Sequence, residues 1–309
     1  VRLTFRQPPF TLRSMTPFAG RAALPSMVRR YALVLFFLLA YAFSWLIWGL
    51  EGRFEDGGLL VWLGSAGPAL AAIVVAALSQ GRRGLYALLS RLFVWRVGIK
   101  WYLVALLLVP VVGLGIAAGF VLTGNVTAAL PGIDYWRENL GMHLVAVTSA
   151  VLLGLFVSMG EELGWRGYAL PQLQGRLNPL ASSVLIGVLW GGWHFNGLLG
   201  GQAEALQLLD MILFVVGTVS ASVIYTWLFN NTRGSVPIAC LFHSVYDVTV
   251  VWVLAVLPLP PSATRAGMVG LAGIAFVIIL LAGPRLSYQP QPAIRTASCR
   301  QTATELGGQ

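Results

Sequence analysis

The sequence predicts an all-α, polytopic membrane protein with eight transmembrane helices and both termini in the cytoplasm. Three observations predict it. Hydrophobic residues make up 57% of the 309 residues and charged residues only 10%, with a mean hydropathy of +0.78. Eight apolar runs reach or approach the ~20 residues that a membrane helix needs. The basic residues divide unequally between alternate connections. A soluble domain carries roughly a quarter charged residues, so this composition excludes a soluble enzyme, a disordered chain and a disulfide-rich secreted scaffold. The formal charge of +9 does not point to nucleic acid, because the basic residues are spread over the loops instead of forming one patch. Cys240 lies in an apolar run and Cys299 in a polar tail, which does not indicate a disulfide.

The elements follow in order. Residues 1–30 form a basic tail with six arginines and no span, expected to be mobile. Met27 followed by Val28, Arg29 and Arg30 looks like a natural start, which would make 1–26 an extension. The membrane domain is expected over 31–283. Its apolar runs are Tyr31–Leu50, Gly58–Ser79, Trp101–Thr123, Met142–Gly160, Leu180–Gly197, Ala205–Phe229, Val236–Leu257 and Ala266–Ala282. The fifth is short and interrupted by Gly187, Gly191 and Gly192. No run alternates as a barrel strand does. Between the second and third runs, Leu85, Leu88, Leu89, Leu92 and Phe93 recur at helical spacing with arginines elsewhere on the wheel. That pattern suits an amphipathic helix on the inner leaflet, with a plain basic loop as the alternative. Residues 284–309 form a second polar tail. Seventeen basic residues fall on one side of this layout, and only Arg53, Arg137 and Arg265 on the other. The excess of positive charge places the first side inside.

Ionisable groups at membrane depth cost about 2.5–3.5 kcal/mol each, so those that remain mark the candidate site. Glu161, Glu162, Asp210 and Asp247 are embedded or at a span edge, as are His194 and His243; His143 opens the fourth run. All but Asp210 and His143 lie on three helices. On the fourth, Glu162 and Arg166 are four apart and share a face, while Glu161 is turned about 100° away. Arg166 would neutralise Glu162 as a structural pair and leave Glu161 as a base strengthened by a low-dielectric cavity. A plain salt-bridge cluster at the helix end is the alternative. On the fifth, Trp190-Gly-Gly-Trp-His194 has glycines that admit a close neighbour; a lone histidine there would more often be an interhelical hydrogen bonder. On the seventh, His243 and Asp247 share a face, either as part of a site or as a self-satisfied pair. Asp210 has no evident partner and reads as interfacial or structural.

One unpaired glutamate, two histidines and a further acid suit activation of a water molecule. A carboxylate and an imidazole deprotonate it, and a second imidazole with its partner stabilises an oxyanion. The same groups could bind zinc. There is no HExxH, no nucleophile elbow and no phosphate loop; Ser244 and Cys240 have no base assigned to them. Hydrolysis of a peptide bond inside the membrane is the economical reading. A proton-coupled transporter and a non-catalytic scaffold or immunity protein are the alternatives from other classes.

Glu161-Glu162-Leu-Gly-Trp-Arg166, then Trp190-Gly-Gly-Trp-His194, then His243-Ser-Val-Tyr-Asp247 resemble the motifs of the CPBP family of intramembrane proteases. This is the family of the CAAX prenyl endopeptidases of the Rce1 type and the bacterial Abi proteins. The likeness covers roughly 145–255, within a protease core of about 142–258. It implies a glutamate-dependent endopeptidase in which Glu161 and His194 activate water and His243 and Asp247 stabilise the oxyanion. Glu162, Arg166 and Trp190 would support the site. Two positions depart from the commonest pattern: Trp190 stands where Phe is usual, and Asp247 where Asn also occurs. An ionised Asp247 cannot donate to an oxyanion and would act by orienting His243. The expectation is a metal-free site; if zinc is present, Glu161, His194 and His243 would hold it. The implied partners are the lipid bilayer and a membrane-anchored or lipidated peptide, with no nucleic acid, and the location a bacterial plasma membrane. One geometric condition follows. His194 lies about 21 Å along its helix and Glu161 only about 7 Å from an end at Arg166. The two meet only if the fourth helix continues past Arg166 towards Gln172–Gly175 or the fifth starts late; the first is expected, with Pro171 marking a kink or an end.

Overall fold

Apolar backbone deprived of water must satisfy its own N–H and C=O groups, and within a single run only a helix does so. The computed structural model describes residues 26–50, 58–124, 133–199, 208–256 and 259–289, and all regular structure among them is helical. The elements are α1 Ser26–Trp48, α2 Gly58–Ser65, α3 Gly67–Leu89, a 3₁₀ turn Ser90–Phe93, α4 Ile99–Leu122 and α5 Ile133–Glu162. They continue as a π-helical stretch Leu163–Ala169, α6 Leu170–Gln174, α7 Pro179–Leu199, α8 Leu208–Asn231, α9 Val236–Val256 and α10 Pro261–Ala282. The ends of the predicted tails, including Cys299, lie outside the described residues.

A helix overlaps each of the eight apolar runs. Among the described residues, six helices are long and apolar enough to cross a membrane, and Val236–Val250 is a shorter apolar helix. The chain is therefore an integral, multi-pass membrane protein. Its outer surface carries the large apolar side chains that lipid requires, among them Leu38, Leu122, Phe156 and Leu281.

Several local expectations change. The second run is not one rod: it breaks at Ala66 between α2 and α3, where Pro68 follows the start of α3. Gly81 then breaks α3 with φ 64°, a conformation glycine adopts without steric cost. The carbonyl of Ser79 at this break accepts a hydrogen bond from Arg29 Nε. Beyond Gly81 the chain returns to helix, with Arg82 and Arg83 exposed and Leu88 buried, as the amphipathic pattern suggests. The glycines of the fifth run do not interrupt α7. His143 lies inside α5, which starts earlier than its apolar run. Arg166 is not a loop charge at all but a fully buried side chain. Asp210 does have a partner, since Arg265 donates Nε–H to Oδ1 at 2.7 Å and Nη2–H to Oδ2 at 3.2 Å, tying α8 to α10.

The geometric condition on the fourth helix is met. Helical backbone runs from Glu138 to Gln174, 37 residues, passing through Pro171 and stopping at Gly175. Two glycines let this long helix sit close to the break between α2 and α3. A Cβ at Gly160 would lie 2.9 Å from Ala66 Cα, and one at Gly164 would lie 2.5 Å from Pro68 Cβ. Spaced four apart, they bring backbone to backbone as small residues do in membranes. Gly187 and Gly191 do the same for α7 against α8: added Cβ atoms would lie 2.5 Å from Val219 Cα and 2.6 Å from Thr218 Oγ1. On its other flank α5 meets α9 through hydroxyls. Ser158 Oγ donates to Cys240 O at 3.1 Å, and Ser244 Oγ donates to Val151 O at 2.7 Å. Ser244 is thus an interhelical tie, and Cys240 a buried free thiol.

Candidate active site

The helix contacts just described bring the three motifs into one buried region. Glu161 and Glu162 sit between Gly160 and Gly164, so the face that carries the glycines is pressed on α2 and α3 while the carboxylates stay in the protein interior. The backbone then changes to π geometry over Leu163–Ala169. Such segments are rare and are found frequently at functional sites.

Glu162 is a hub. Its Oε1 accepts from Arg166 Nη1 at 2.7 Å and from His243 Nδ1 at 2.9 Å. The guanidinium of Arg166 lies over the rings of Tyr225 and Trp190, 4.0 and 4.8 Å from their centroids. A buried ion pair is costly unless further partners satisfy it; here two aromatic faces and an imidazole supply part of that, while among the described residues Glu162 Oε2 and Arg166 Nε and Nη2 are buried without a hydrogen-bond partner. The expected Glu162–Arg166 pair is present. Its link to His243, 81 residues away, has no signature in the sequence.

His243 stands between two carboxylates. Its Nδ1 donates to Glu162, and its Nε2 lies 3.5 Å from Asp247 Oδ2. Asp247 therefore faces the ring, the arrangement expected of an orienting group. The Asp247 side chain is about half exposed, towards a cavity, whereas His243 is buried.

Trp190 joins the other two residues. Its indole N–H donates to Glu161 Oε2 at 2.7 Å. Its backbone carbonyl accepts from His194 Nδ1 at 2.8 Å. A carbonyl can only accept, so Nδ1 carries the proton and a neutral His194 keeps its lone pair on Nε2. The indole ring stacks edge-on between both imidazoles, with centroids 5.3 Å from His194 and 5.7 Å from His243. Sequence reasoning treated Trp190 as a packing ring and missed its N–H; Trp where Phe is usual was the available signal.

A cavity of about 70 Å³ is lined by Trp190, His194, His243, Asp247, Tyr246 and Met268, among others. Glu161 is connected to this space through Trp190 and is not one of its lining residues. Tyr246 and Met268 also line a second, apolar cavity of about 90 Å³ between α4, α9 and α10. Among the described residues no three His, Cys, Asp or Glu side chains are grouped to hold a metal ion. Glu161, His194 and His243 do not form such a set, and each has one polar atom committed elsewhere.

Residues 143–249 match the family described as Type II CAAX prenyl endopeptidase Rce1-like. That stretch contains all seven residues of the site. The chain is also similar to a CAAX prenyl protease 2 of Methanococcus maripaludis, 25% identical over 233 residues, covering 71% of this chain and 84% of the relative. The likeness is to the Rce1-like CAAX protease superfamily as a family.

Proposed function

We propose that the chain is an intramembrane endopeptidase that hydrolyses a peptide bond of a membrane-anchored or lipidated peptide. The observation that carries this reading is the linkage of the three motifs. Glu162 is bonded to His243, Glu161 to Trp190, and His194 to the same Trp190, around a cavity that presents two imidazoles and a carboxylate. The match of 143–249 to a prenyl endopeptidase family supports the same activity.

In this reading Glu161 and His194 activate a water molecule. Glu161, held by Trp190, takes the proton, and the Nε2 lone pair of His194 accepts the other O–H and so orients the water. The water oxygen bonds to the carbonyl carbon, and the carbonyl oxygen becomes an oxyanion facing His243, whose ring Glu162 and Asp247 orient. Return of the proton to the amide nitrogen releases the amine as the C–N bond breaks. The apolar cavity that meets the site at Tyr246 and Met268 suits a substrate arriving from lipid.

The proposal includes eight spans with the arginine-rich end and both termini in the cytoplasm of a bacterial cell. The connections between helices support it. Arg29 bonds Ser79, Gln174 bonds Asn230, Leu180 bonds Pro284, and Ser235 bonds Val94, so these four junctions share one end of the bundle.

The test is cleavage of a quenched-fluorescent farnesylated CAAX peptide by detergent-purified protein, beside Glu161→Gln and with or without a chelator. Cleavage that Glu161→Gln lowers by two orders of magnitude or more, and that chelation spares, is expected. Cleavage by Glu161→Gln at the wild-type rate would remove Glu161 as the base. No cleavage by the wild type would remove prenylated peptides as the substrate class.

A further inference from the structure

At the end of the bundle where the junctions meet lies a large polar cavity, about 990 Å³, that shares no lining residue with the motif cavity. Three arginines reach it from three different elements: Arg91 after α3, Arg233 after α8 and Arg285 after α10. Neutral polar side chains, including Asn230, Asn231 and Tyr288, share the wall with Pro171, Phe229 and Ala282, and among the described residues no Asp or Glu lines it.

Arg91 and Arg233 are held in place by contacts of their own. The Arg91 guanidinium lies 5.5 Å from the centroid of the Phe229 ring. A Cβ at Gly234 would come within 2.4 Å of its Nη1, so the group rests against the Gly234 backbone. Arg233 donates through Nη2 to the carbonyl of Arg96. Gln174 donates to Asn230 Oδ1 at 3.1 Å, and Asn230 Nδ2 donates to Leu286 O at 3.1 Å, linking α6, α8 and the turn after α10.

Backbone strain gathers at the same place. Among the described residues, the non-glycine residues with positive φ are Arg233 (58°), Leu286 (43°) and Ser287 (61°). Arg233 and Ser287 line the cavity, and Leu286, fully buried, lies between Arg285 and Ser287. Strain of this kind persists where the surroundings over-determine it, and it clusters at ligand sites. Nearby, Phe93, Trp95 and Ile99 are exposed, as side chains are at the depth of lipid headgroups.

Three arginines on one cavity, with no carboxylate among its described lining, call for an anion, and their planar forks match phosphate. Basic pockets between membrane helices take phospholipid headgroups in this way. We propose that this cavity is a phosphate-binding site and that its ligand is the headgroup of an anionic phospholipid in the adjoining leaflet. The amides and hydroxyls around the arginines would bond the remaining phosphate and glycerol oxygens.

Native mass spectrometry of the full-length, detergent-purified chain tests this. The probes are phosphatidylglycerol, phosphatidylcholine and inorganic phosphate. The variants are Arg233→Gln/Arg285→Gln, the single Arg285→Gln, and Arg82→Gln/Arg83→Gln as a matched charge loss outside the cavity. Wild type should retain phosphatidylglycerol at least about tenfold better than phosphatidylcholine. The cavity double variant should lose about tenfold or more in that retention and the control should keep it. Arg285 is exposed, so the single variant reads the same loss if the double does not fold. Stabilisation by inorganic phosphate equal to that by the lipid would overturn the lipid assignment. Equal retention by wild type and both cavity variants, or an equal loss in the control, would overturn the site.

Discussion

Replacing Trp190 by Phe separates the two things that Trp190 does. The phenyl ring keeps an aromatic face over Arg166 and between the imidazoles, and it is the residue usual at this position in the resembled pattern, so the fold should accept it. The indole N–H that donates to Glu161 Oε2 at 2.7 Å is lost. A buried hydrogen bond to a charged group contributes about 1.5–3 kcal/mol. If that bond holds Glu161 where it acts, its loss lowers kcat/KM by about 10- to 150-fold, at 1.36 kcal/mol per tenfold. Trp190 is 4% exposed, so the smaller ring also leaves a small void, costing about 1–2 kcal/mol of stability by analogy with other core truncations. The assay is steady-state cleavage of the fluorogenic peptide, run well below the melting temperature of each protein by thermal shift. A Trp190→Phe protein that folds and cleaves within about twofold of wild type would refute the claim that the indole positions the base.

Other outcomes follow from the same geometry. Glu162→Gln removes the anion shared by Arg166 and His243 and leaves a buried guanidinium uncompensated; a loss of about 3–5 kcal/mol is expected, read as a large drop in Tm together with lost cleavage. Asp247→Asn keeps an acceptor beside His243 Nε2, so cleavage should stay within about tenfold of wild type, whereas Asp247→Ala should fall further; an Asn variant as inactive as the Ala variant would mean that the charge of Asp247 takes part directly. Gly164→Ala places a methyl within 2.6 Å of the Pro68 backbone, where neither helix can yield cheaply, and should lower Tm and the yield of monodisperse protein. Gly81→Ala meets no atom within 4 Å but must hold φ 64° and ψ −153°, a conformation essentially confined to glycine, so it should cost about 1–3 kcal/mol, read as a lower Tm.

The apolar runs were legible because lipid imposes one secondary structure on any long apolar segment, and all eight became helices. So was the extension of the fourth helix, since Glu161 could reach the depth of His194 through added turns. The pairing of Glu162 with Arg166 followed from spacing on one helix. What was not legible depended on relations between distant segments. Glu162 and His243 lie 81 residues apart, and Asp210 finds Arg265 across 55 residues. The break at Ala66 was hidden because the local dip at Gly64-Ser65-Ala66-Gly67-Pro68 is averaged away within a long apolar run. Arg166 was counted among the loop charges because sequence alone cannot distinguish a basic residue at a span edge from one drawn inside. Trp190 was underread because an indole counts as apolar in any periodicity argument, yet it carries a donor.

The π-helical stretch gives this part of the chain a phase shift. A π turn holds one residue more than an α turn, so the seven residues Leu163–Ala169 carry, in effect, a one-residue insertion. Upstream, α5 keeps the azimuth that meets α9 through Ser158; downstream, Leu170 and Leu173 face the core. Deleting a single residue there would let the stretch relax to regular α geometry at no loss of helical hydrogen bonds. The two halves of the rod would then keep nearly their present azimuths, whereas a deletion in the regular α turns of α5 would rotate them by about 100°. Mutational scans that only substitute would never reveal this dependence. A scan of single-residue deletions should find the fold more tolerant within Leu163–Ala169 than in the α turns of α5, read as the Tm of each deleted protein.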